Sequence, residues 1–323
     1  MFWWKHKRAL VIGASGFCGT HLCEALHQKG AHVIAFDRAE PNWKLRVPFE
    51  RGDILDFSAL RLLLERHPVD VVFHLAAQPI VSTSIILPLE TMQTNVVGTF
   101  NVCEAIRLSS TRPPLVFASS GAFYGATNAT EAIGEDDPAQ EAANIYAPTK
   151  AAADLAVRSY AKTYGLPFAV CRWMNTYGEG DLNWSRVVPA TFRRANVGLP
   201  GLIAATDGTN VLELLHVRDM VEAYLRVAEN IERPKVKGEA FNFGGGEPLV
   251  LKDVVERITR AWNEATGQDV PETPEILGGR VQSAKYLDIA KAKRVLGWEP
   301  KIDLDEGLRH AAQWYQAEMG PLK

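Results

Sequence analysis

Over the first half of the chain, from Arg8 to about Arg172, short runs of β-branched and aliphatic residues alternate with longer amphipathic stretches. This alternation predicts a parallel sheet covered on both faces, because each crossover between parallel strands takes a helix-sized connection. Strands are expected at 9–12, 32–36, 69–75, 115–118 and 168–171. Helices are expected to begin near Gly16, Ser58, Pro88 and Tyr146, while Gly30, Pro68 and Gly165 stand where helices stop. The fold class is therefore α/β, with a doubly wound parallel sheet.

Beyond Arg172 the alternation weakens, and glycine and proline become frequent, as at Gly178, Gly180, Gly198, Pro200, Gly201 and 244–246. The pattern predicts a sheet domain over 1–172 and a smaller mixed α/β C-terminal domain over 173–323, whose loops can cover the sheet's carboxyl edge. Residues 217–229 carry a helical amphipathic period, so 211–230 is expected to return to the first domain.

The 323 residues are 47% hydrophobic and 23% charged, with a formal net charge of -3. A globular chain of this size buries roughly three quarters of its surface, so no cross-link is needed to stabilise it. The charge is evenly spread, and its one basic run is the short stretch 5–8, which argues against nucleic acid and membrane surfaces as partners. No 18-residue apolar run occurs, and 9–12 is too short for the apolar part of a signal peptide, so a cytoplasmic location is expected. Cys18, Cys23, Cys103 and Cys171 lack CxxC spacing and lie among apolar residues, reading as reduced core positions. No residue set has metal-ligand spacing, and no metal site is expected.

The first strand leads into Gly13-Ala14-Ser15-Gly16-Phe17-Cys18-Gly19, a GxxGxxG turn. Gly13 permits the tight turn, Gly16 lets backbone N–H groups approach a pyrophosphate, and Gly19 lets helix and strand pack closely. Asp37 ends the second strand 18 residues beyond Gly19, where a carboxylate can accept from the adenosine ribose hydroxyls. Such a carboxylate repels a 2′-phosphate, so NAD is expected rather than NADP; Arg38 beside it pulls the other way. Asp53, between Gly52 and Ile54, follows the expected third strand and reads either as an adenine contact or as a helix cap.

Tyr146 and Lys150 begin an alanine-rich helix and lie one turn apart on one face. An ammonium near a phenol favours phenolate, so Tyr146 can act as a general base, although a free tyrosine titrates at about 10. Ser120, at the end of the fifth strand, can hydrogen-bond the same substrate oxygen. With the glycine turn, these residues form a constellation for hydride-transfer chemistry.

These residues resemble the extended short-chain dehydrogenases/reductases that act on nucleotide sugars, the NAD-dependent epimerase/dehydratase group. The likeness runs through Gly13 to Gly19, His74-Leu75-Ala76-Ala77-Gln78, Thr94-Asn95-Val96-Val97-Gly98-Thr99, Ser119-Ser120 with Tyr124-Gly125, Tyr146 to Lys150, Arg172 with Asn175 and Tyr177-Gly178, His216-Val217 with Asp219, and Leu296-Gly297-Trp298-Glu299-Pro300. The stretches 74–99 and 291–314 look most like CDP-glucose 4,6-dehydratases. The resemblance implies a Rossmann-type fold with Ser120, Tyr146 and Lys150 as the catalytic triad. It implies that Ser15, Phe17, Cys18, Asp53, Ile54, Leu75, Ala76, Ala77, Gln78, Asn95 and Ser119 border the NAD, and that Lys150 also holds the nicotinamide ribose. Gln78, Ser120, Gly121, Tyr146, Asn175, Arg186 and Arg280 would meet the nucleotide-sugar substrate. Relatives form homodimers through the helices that carry Asn95-Gly98 and Tyr146-Lys150, and a homodimer is expected here.

Two departures bear on the reaction. Dehydratases of this group carry an acidic residue directly after the catalytic Ser or Thr, with a second titratable residue beside it, but here Gly121 and Ala122 stand there. An epimerase needs neither, so the expected reaction is epimerisation through a transient 4-keto sugar. Glu131, Glu135 or Asp136 entering from the following loop would restore a 4,6-dehydratase; an NADPH-dependent 4-keto sugar reductase and a non-catalytic dinucleotide sensor are the other readings. Relatives also grip the diphosphate with two arginines, at whose places stand Leu212 and Leu277; Arg193, Arg194, Arg218 and Arg280 are the candidates to replace them.

Overall fold

The computed structural model describes residues 3–40, 46–125, 127–280 and 283–320. Its central sheet has seven strands, in the order Ala240–Phe243, Phe168–Trp173, Leu115–Ala118, Val71–His74, Arg8–Ile12, His32–Asp37, Phe49–Arg51. Every pairing in this sheet is parallel. Val71–His74 and Phe168–Trp173 are buried along their whole length, as continuous apolar runs in a two-faced sheet require. The strand order reverses at Arg8–Ile12, which pairs with His32–Asp37 on one side and Val71–His74 on the other. Connections leave those neighbours in opposite directions, so a crevice opens at their carboxyl ends.

Each sheet face has its own core. On one, Leu22 and Leu26 of helix Phe17–Gln28 and Ala223, Tyr224 and Val227 of helix Val217–Asn230 pack with Val11, Val33 and Phe73. On the other, helices Phe57–Arg66, Gly98–Leu108 and Tyr146–Tyr164 supply Leu60, Val102, Ile106, Ala153 and Val157 against Leu10, Val72 and Phe117. The doubly wound Rossmann-type arrangement expected from the alternation is the one found. From the second half, helix Val217–Asn230 packs in the first core, strand Ala240–Phe243 completes the sheet, and Ala292 and Leu296 of helix Ala290–Leu296 join that core. A separate core gathers Phe192, Trp262, Leu308 and Tyr315 from helices Val187–Asn196, Leu251–Thr266 and Leu304–Met319.

Two local features place the site. Helix Pro88–Met92 runs through a π-helical turn, Gln93–Val97, into Gly98–Leu108, and the wide turn carries Asn95 inward. Helix Tyr146–Tyr164 stops at Gly165, whose left-handed backbone (φ +64) closes it. Among the described residues no helix is long and apolar enough to cross a membrane.

Candidate active site

The crevice at the strand reversal is an open cleft beyond the carboxyl ends of the strands, where ligands of doubly wound sheets bind. Its walls come from the glycine turn, Asp37, Arg38, Asp53, Ile54, and Leu75 to Ala77, with Arg186 reaching in from the second half. The three glycines differ in what they make room for. A Cβ on Gly13 (φ +91) would lie 2.3 Å from Ala76 N, and one on Gly19 would lie 2.1 Å from Gly13 O. Protein backbone therefore requires both. Gly16 meets nothing nearer than Gly13 O at 3.5 Å, so its bareness serves the cleft it lines.

Gly16 is also the N-cap of helix Phe17–Gln28 and gives it no side-chain cap, leaving helix N–H donors free for an anion. Asp37 shapes this loop as well as edging the cleft: its Oδ2 accepts from Ser15 N at 3.0 Å and its Oδ1 from Arg38 N at 2.7 Å. Ser15 Oγ donates to Ala39 O at 2.5 Å, and the Arg38 guanidinium stands 4.0 Å from Glu90. Asp53 Oδ1 accepts from Leu55 N at 2.9 Å. Burial pushes the Cys18 thiol up to about 12, against the pull of Arg186, so Cys18 faces the cleft as a neutral thiol.

Ser120 follows strand Leu115–Ala118, and its Oγ accepts from Ala122 N at 3.0 Å. Burial raises the Tyr146 phenol above its ordinary range, while the Ser120 hydroxyl and the Arg186 guanidinium act to lower it. Lys150, one turn on, is buried; its Nζ donates to Ala118 O at 2.7 Å and lies 5.1 Å above the Phe117 ring. Burial brings this ammonium down to about 8, with Asp154 holding it up.

The Epimerase profile, described as the NAD dependent epimerase/dehydratase family, matches residues 9–244. The chain belongs to this family. It is 30% identical over 333 residues to UDP-glucuronate 4-epimerase 3 of Arabidopsis thaliana, covering 95% of this chain and 76% of the relative. Among solved structures, a UDP-glucose 4-epimerase with UDP-glucose from Thermotoga maritima superposes with a TM-score of 0.85 at 27% identity, covering 97% of this chain and 100% of that one. A dTDP-glucose 4,6-dehydratase of Bacillus anthracis in complex with NAD gives 0.82 at 26% identity, covering 96% and 97%.

NAD is the cofactor of the epimerase/dehydratase family, and the uncapped helix, the bare Gly16 and Asp37 fit a dinucleotide here. Other predicted residues turn their side chains elsewhere. Gln78 lies in the loop after Val71–His74, but its carboxamide bonds Ile80 and Thr91: Oε1 accepts from Ile80 N at 2.6 Å, and Nε2 donates to Ile80 O and Thr91 Oγ1, both at 3.0 Å. Asn95 fixes that loop, since its Oδ1 accepts from Gln78 N at 2.7 Å and its Nδ2 donates to Gln78 O and Thr149 Oγ1. Ser119 Oγ donates to buried Asp154 at 2.7 Å. Asn175 is exposed, and its Nδ2 donates to Glu213 O at 3.1 Å.

Arg186 lines the cleft while its Nη1 holds both oxygens of buried Asp181, at 3.1 and 3.0 Å. Arg280 is exposed, near Asp207. Arg194 pairs with Glu275 and Arg218 with Glu179, whereas the Arg193 guanidinium lies 5.7 Å from the Trp184 ring centre. A Cβ on Gly121 would lie 2.2 Å from Met174 Sδ, so Met174 fills the space a longer side chain needs. Glu135 Oε1 accepts from Asn242 N at 2.9 Å, and Glu131 and Asp136 are exposed.

Sequence reasoning passed over Thr94 and Pro79 in the cleft wall, and Asp154 beneath it. Asp154 alone had a signal, its place four residues beyond Lys150 on the same helix face.

Proposed function

We propose that the protein is a nucleotide-sugar 4-epimerase that inverts C4 of its substrate through a transient 4-keto sugar, with NAD bound in the glycine-turn cleft. The observation that carries this reading over the 4,6-dehydratase is the surroundings of Ser120. The two residues after it have no titratable side chain, Met174 occupies the room beside Gly121, and Glu135 is engaged with Asn242. Elimination across C5 and C6 needs an acid and a base at that place; inversion at C4 does not. Similarity to UDP-glucuronate and UDP-glucose 4-epimerases supports the same choice.

When bound, NAD supplies the acceptor and donor of hydride. Tyr146 removes the proton of the 4-hydroxyl as hydride leaves C4, and gives it back to the 4-oxygen once the keto sugar has turned its opposite face to the returning hydride. Ser120, whose hydroxyl acts to lower the phenol, orients that oxygen. Lys150 places a cation one turn away, which favours phenolate, and Arg186 adds a second positive field.

The working unit on this reading is a homodimer. Helices Gly98–Leu108 and Tyr146–Tyr164 lie against each other and leave Phe100, Leu155 and Tyr164 exposed, apolar surface that a second copy would cover.

The test is incubation of NAD-loaded protein with UDP-, CDP-, GDP- and dTDP-hexoses and UDP-glucuronate, followed by NMR. The expected product is the C4 epimer, with no net change in NADH absorbance. A 4-keto-6-deoxy product would replace this reading with dehydration, consumption of external NADPH would replace it with reduction, and absence of binding or turnover across the panel would remove it.

A further inference from the structure

The last residue of strand Leu115–Ala118 and the one after it are held by two side chains of helix Tyr146–Tyr164. Ala118 O accepts from Lys150 Nζ at 2.7 Å, and Ser119 Oγ donates to Asp154 Oδ2 at 2.7 Å. Asp154 is wholly buried and takes a two-pronged Arg172, whose Nε donates to Oδ2 at 2.9 Å and Nη2 to Oδ1 at 3.1 Å. Arg172 is buried too. Its guanidinium lies 3.6 Å from the Phe123 ring centre and donates to Tyr124 Oη at 2.8 Å and Glu135 O at 3.1 Å. Phe123 and Tyr124 belong to the short turn Gly121–Tyr124 that Ser120 caps. The carboxylate thus grips the residue before Ser120 directly and the turn after it through the arginine.

Stability gives this ion pair little purpose, because two buried charges seldom outperform apolar side chains of the same volume. Its geometry gives it another. We propose that Asp154 is a positioning residue of the site: it fixes Ser120 from both sides through Ser119 and Arg172, and sets a negative charge one helical turn from the Lys150 ammonium. This rests on the reading of Ser120, Tyr146 and Lys150 as the reacting groups.

The remaining titratable groups leave Asp154 as the anion that supports Lys150. His74, from the neighbouring strand, is kept neutral by burial, and Tyr146 on the same helix is raised by burial. Around Asp154, Cys171 is held as a thiol by burial, and Arg172 is cationic. Loss of the Asp154 charge therefore lets burial and the stranded Arg172 act unopposed on Lys150, and its proton leaves at lower pH.

The experiment compares Ser119→Ala, Asp154→Asn and Asp154→Glu in the full-length NAD-loaded protein. Ser119→Ala keeps the ion pair and frees the strand end; its kcat is expected to fall roughly ten- to a hundredfold with KM little changed, the effect of a displaced reacting group. In Asp154→Asn the pH at which kcat levels off moves down by about one unit, the effect of one close opposite charge, and Asp154→Glu restores it. Turnover is not the only readout: the pH midpoint for reductive methylation of Lys150, followed by peptide mass spectrometry, moves down in Asp154→Asn as well.

If no nucleotide sugar is turned over by the unaltered protein and the Lys150 midpoint still moves, the functional reading fails while the charge placement stands. Unchanged kcat in Ser119→Ala overturns the proposal. So does an Asp154→Asn protein whose kcat levels off at the same pH and whose Lys150 midpoint matches the unaltered protein while only its thermal midpoint drops. Should Asp154→Asn fail to fold, Ser119→Ala decides alone.

Discussion

At the scale of single residues, the site is a set of charges whose protonation follows from burial. Tyr146→Phe removes the proton acceptor and keeps the ring, so kcat should fall by about 10²–10⁴-fold while NAD binding and the thermal midpoint stay near wild type; stopped assays and a dye-melting curve check both. The pH profile of kcat follows from the same groups. Activity requires the phenol, raised by burial, to lose its proton and the Lys150 ammonium to keep its own, so kcat is expected to climb with pH and to level off where Lys150 titrates, at about 8. A levelling point that stays put in Lys150→Met would reject that assignment. His74 adds a stability effect. Its Nε2 bonds Thr99 Oγ1 at 3.1 Å inside the core, and burial lowers its titration to about 3. Because the unfolded chain binds that proton at about 6.5 and the folded chain does not, the contribution is full above 6.5 and is lost at up to about 1.4 kcal/mol per pH unit as pH falls towards 3. Urea unfolding of His74→Gln at pH 7 and pH 5 should show a shallower pH slope than the unaltered protein.

At the scale of elements, much of the site was legible because backbone requirements leave marks in sequence. The turn Gly13–Gly19, the carboxylate at the end of His32–Asp37 and the spacing of Tyr146 and Lys150 each follow from helix or strand geometry. Side-chain direction leaves no such mark. Gln78 and Ser119 sit in the expected loops, yet their hydrogen-bonding groups go to Thr91 and Asp154, partners 13 and 35 residues away. The π-helical turn at Gln93–Val97 was equally hidden, since nothing in its composition departs from an ordinary helix. The glycine turn offers a comparison of two substitutions three residues apart. Gly19→Ala drives a Cβ into Gly13 O and should lower the thermal midpoint or abolish soluble expression. Gly16 has an ordinary helix-entry backbone (φ -73), so Gly16→Ala should fold normally but lose one or two N–H contacts to NAD, at about 1–2 kcal/mol in all, a roughly tenfold weaker binding by fluorescence titration. Equal effects of the two substitutions on melting would overturn this division of labour.

At the scale of the whole molecule, five of the seven strands of the sheet were placed by the sequence, and its edge strand was not. Ala240–Phe243 is only four residues long and is followed directly by three glycines, so it read as part of a loop-rich second half rather than as the edge of the first sheet. Its inclusion ties the halves together: Phe241 and Phe243 join the core that holds helix Val217–Asn230, and Asn242 takes the Tyr124 hydroxyl at 2.7 Å, beside the turn that Ser120 caps. The proposed dimer belongs to the same scale. Helix Tyr146–Tyr164 turns Ala153 and Val157 to the sheet and leaves Leu155 at 50% exposure, while Phe100 of the neighbouring helix is 43% exposed and packs on Tyr160. A stable interface takes roughly 800 Å² from each partner, with apolar side chains at its centre, and two paired helices meeting their copies can supply it. Light scattering should give twice the chain mass, and Leu155→Glu should bring it to the monomer value. Because Tyr146 and Lys150 lie on the same helix, the monomer is expected to lose activity as well; a Leu155→Glu protein that stays dimeric would place the interface elsewhere.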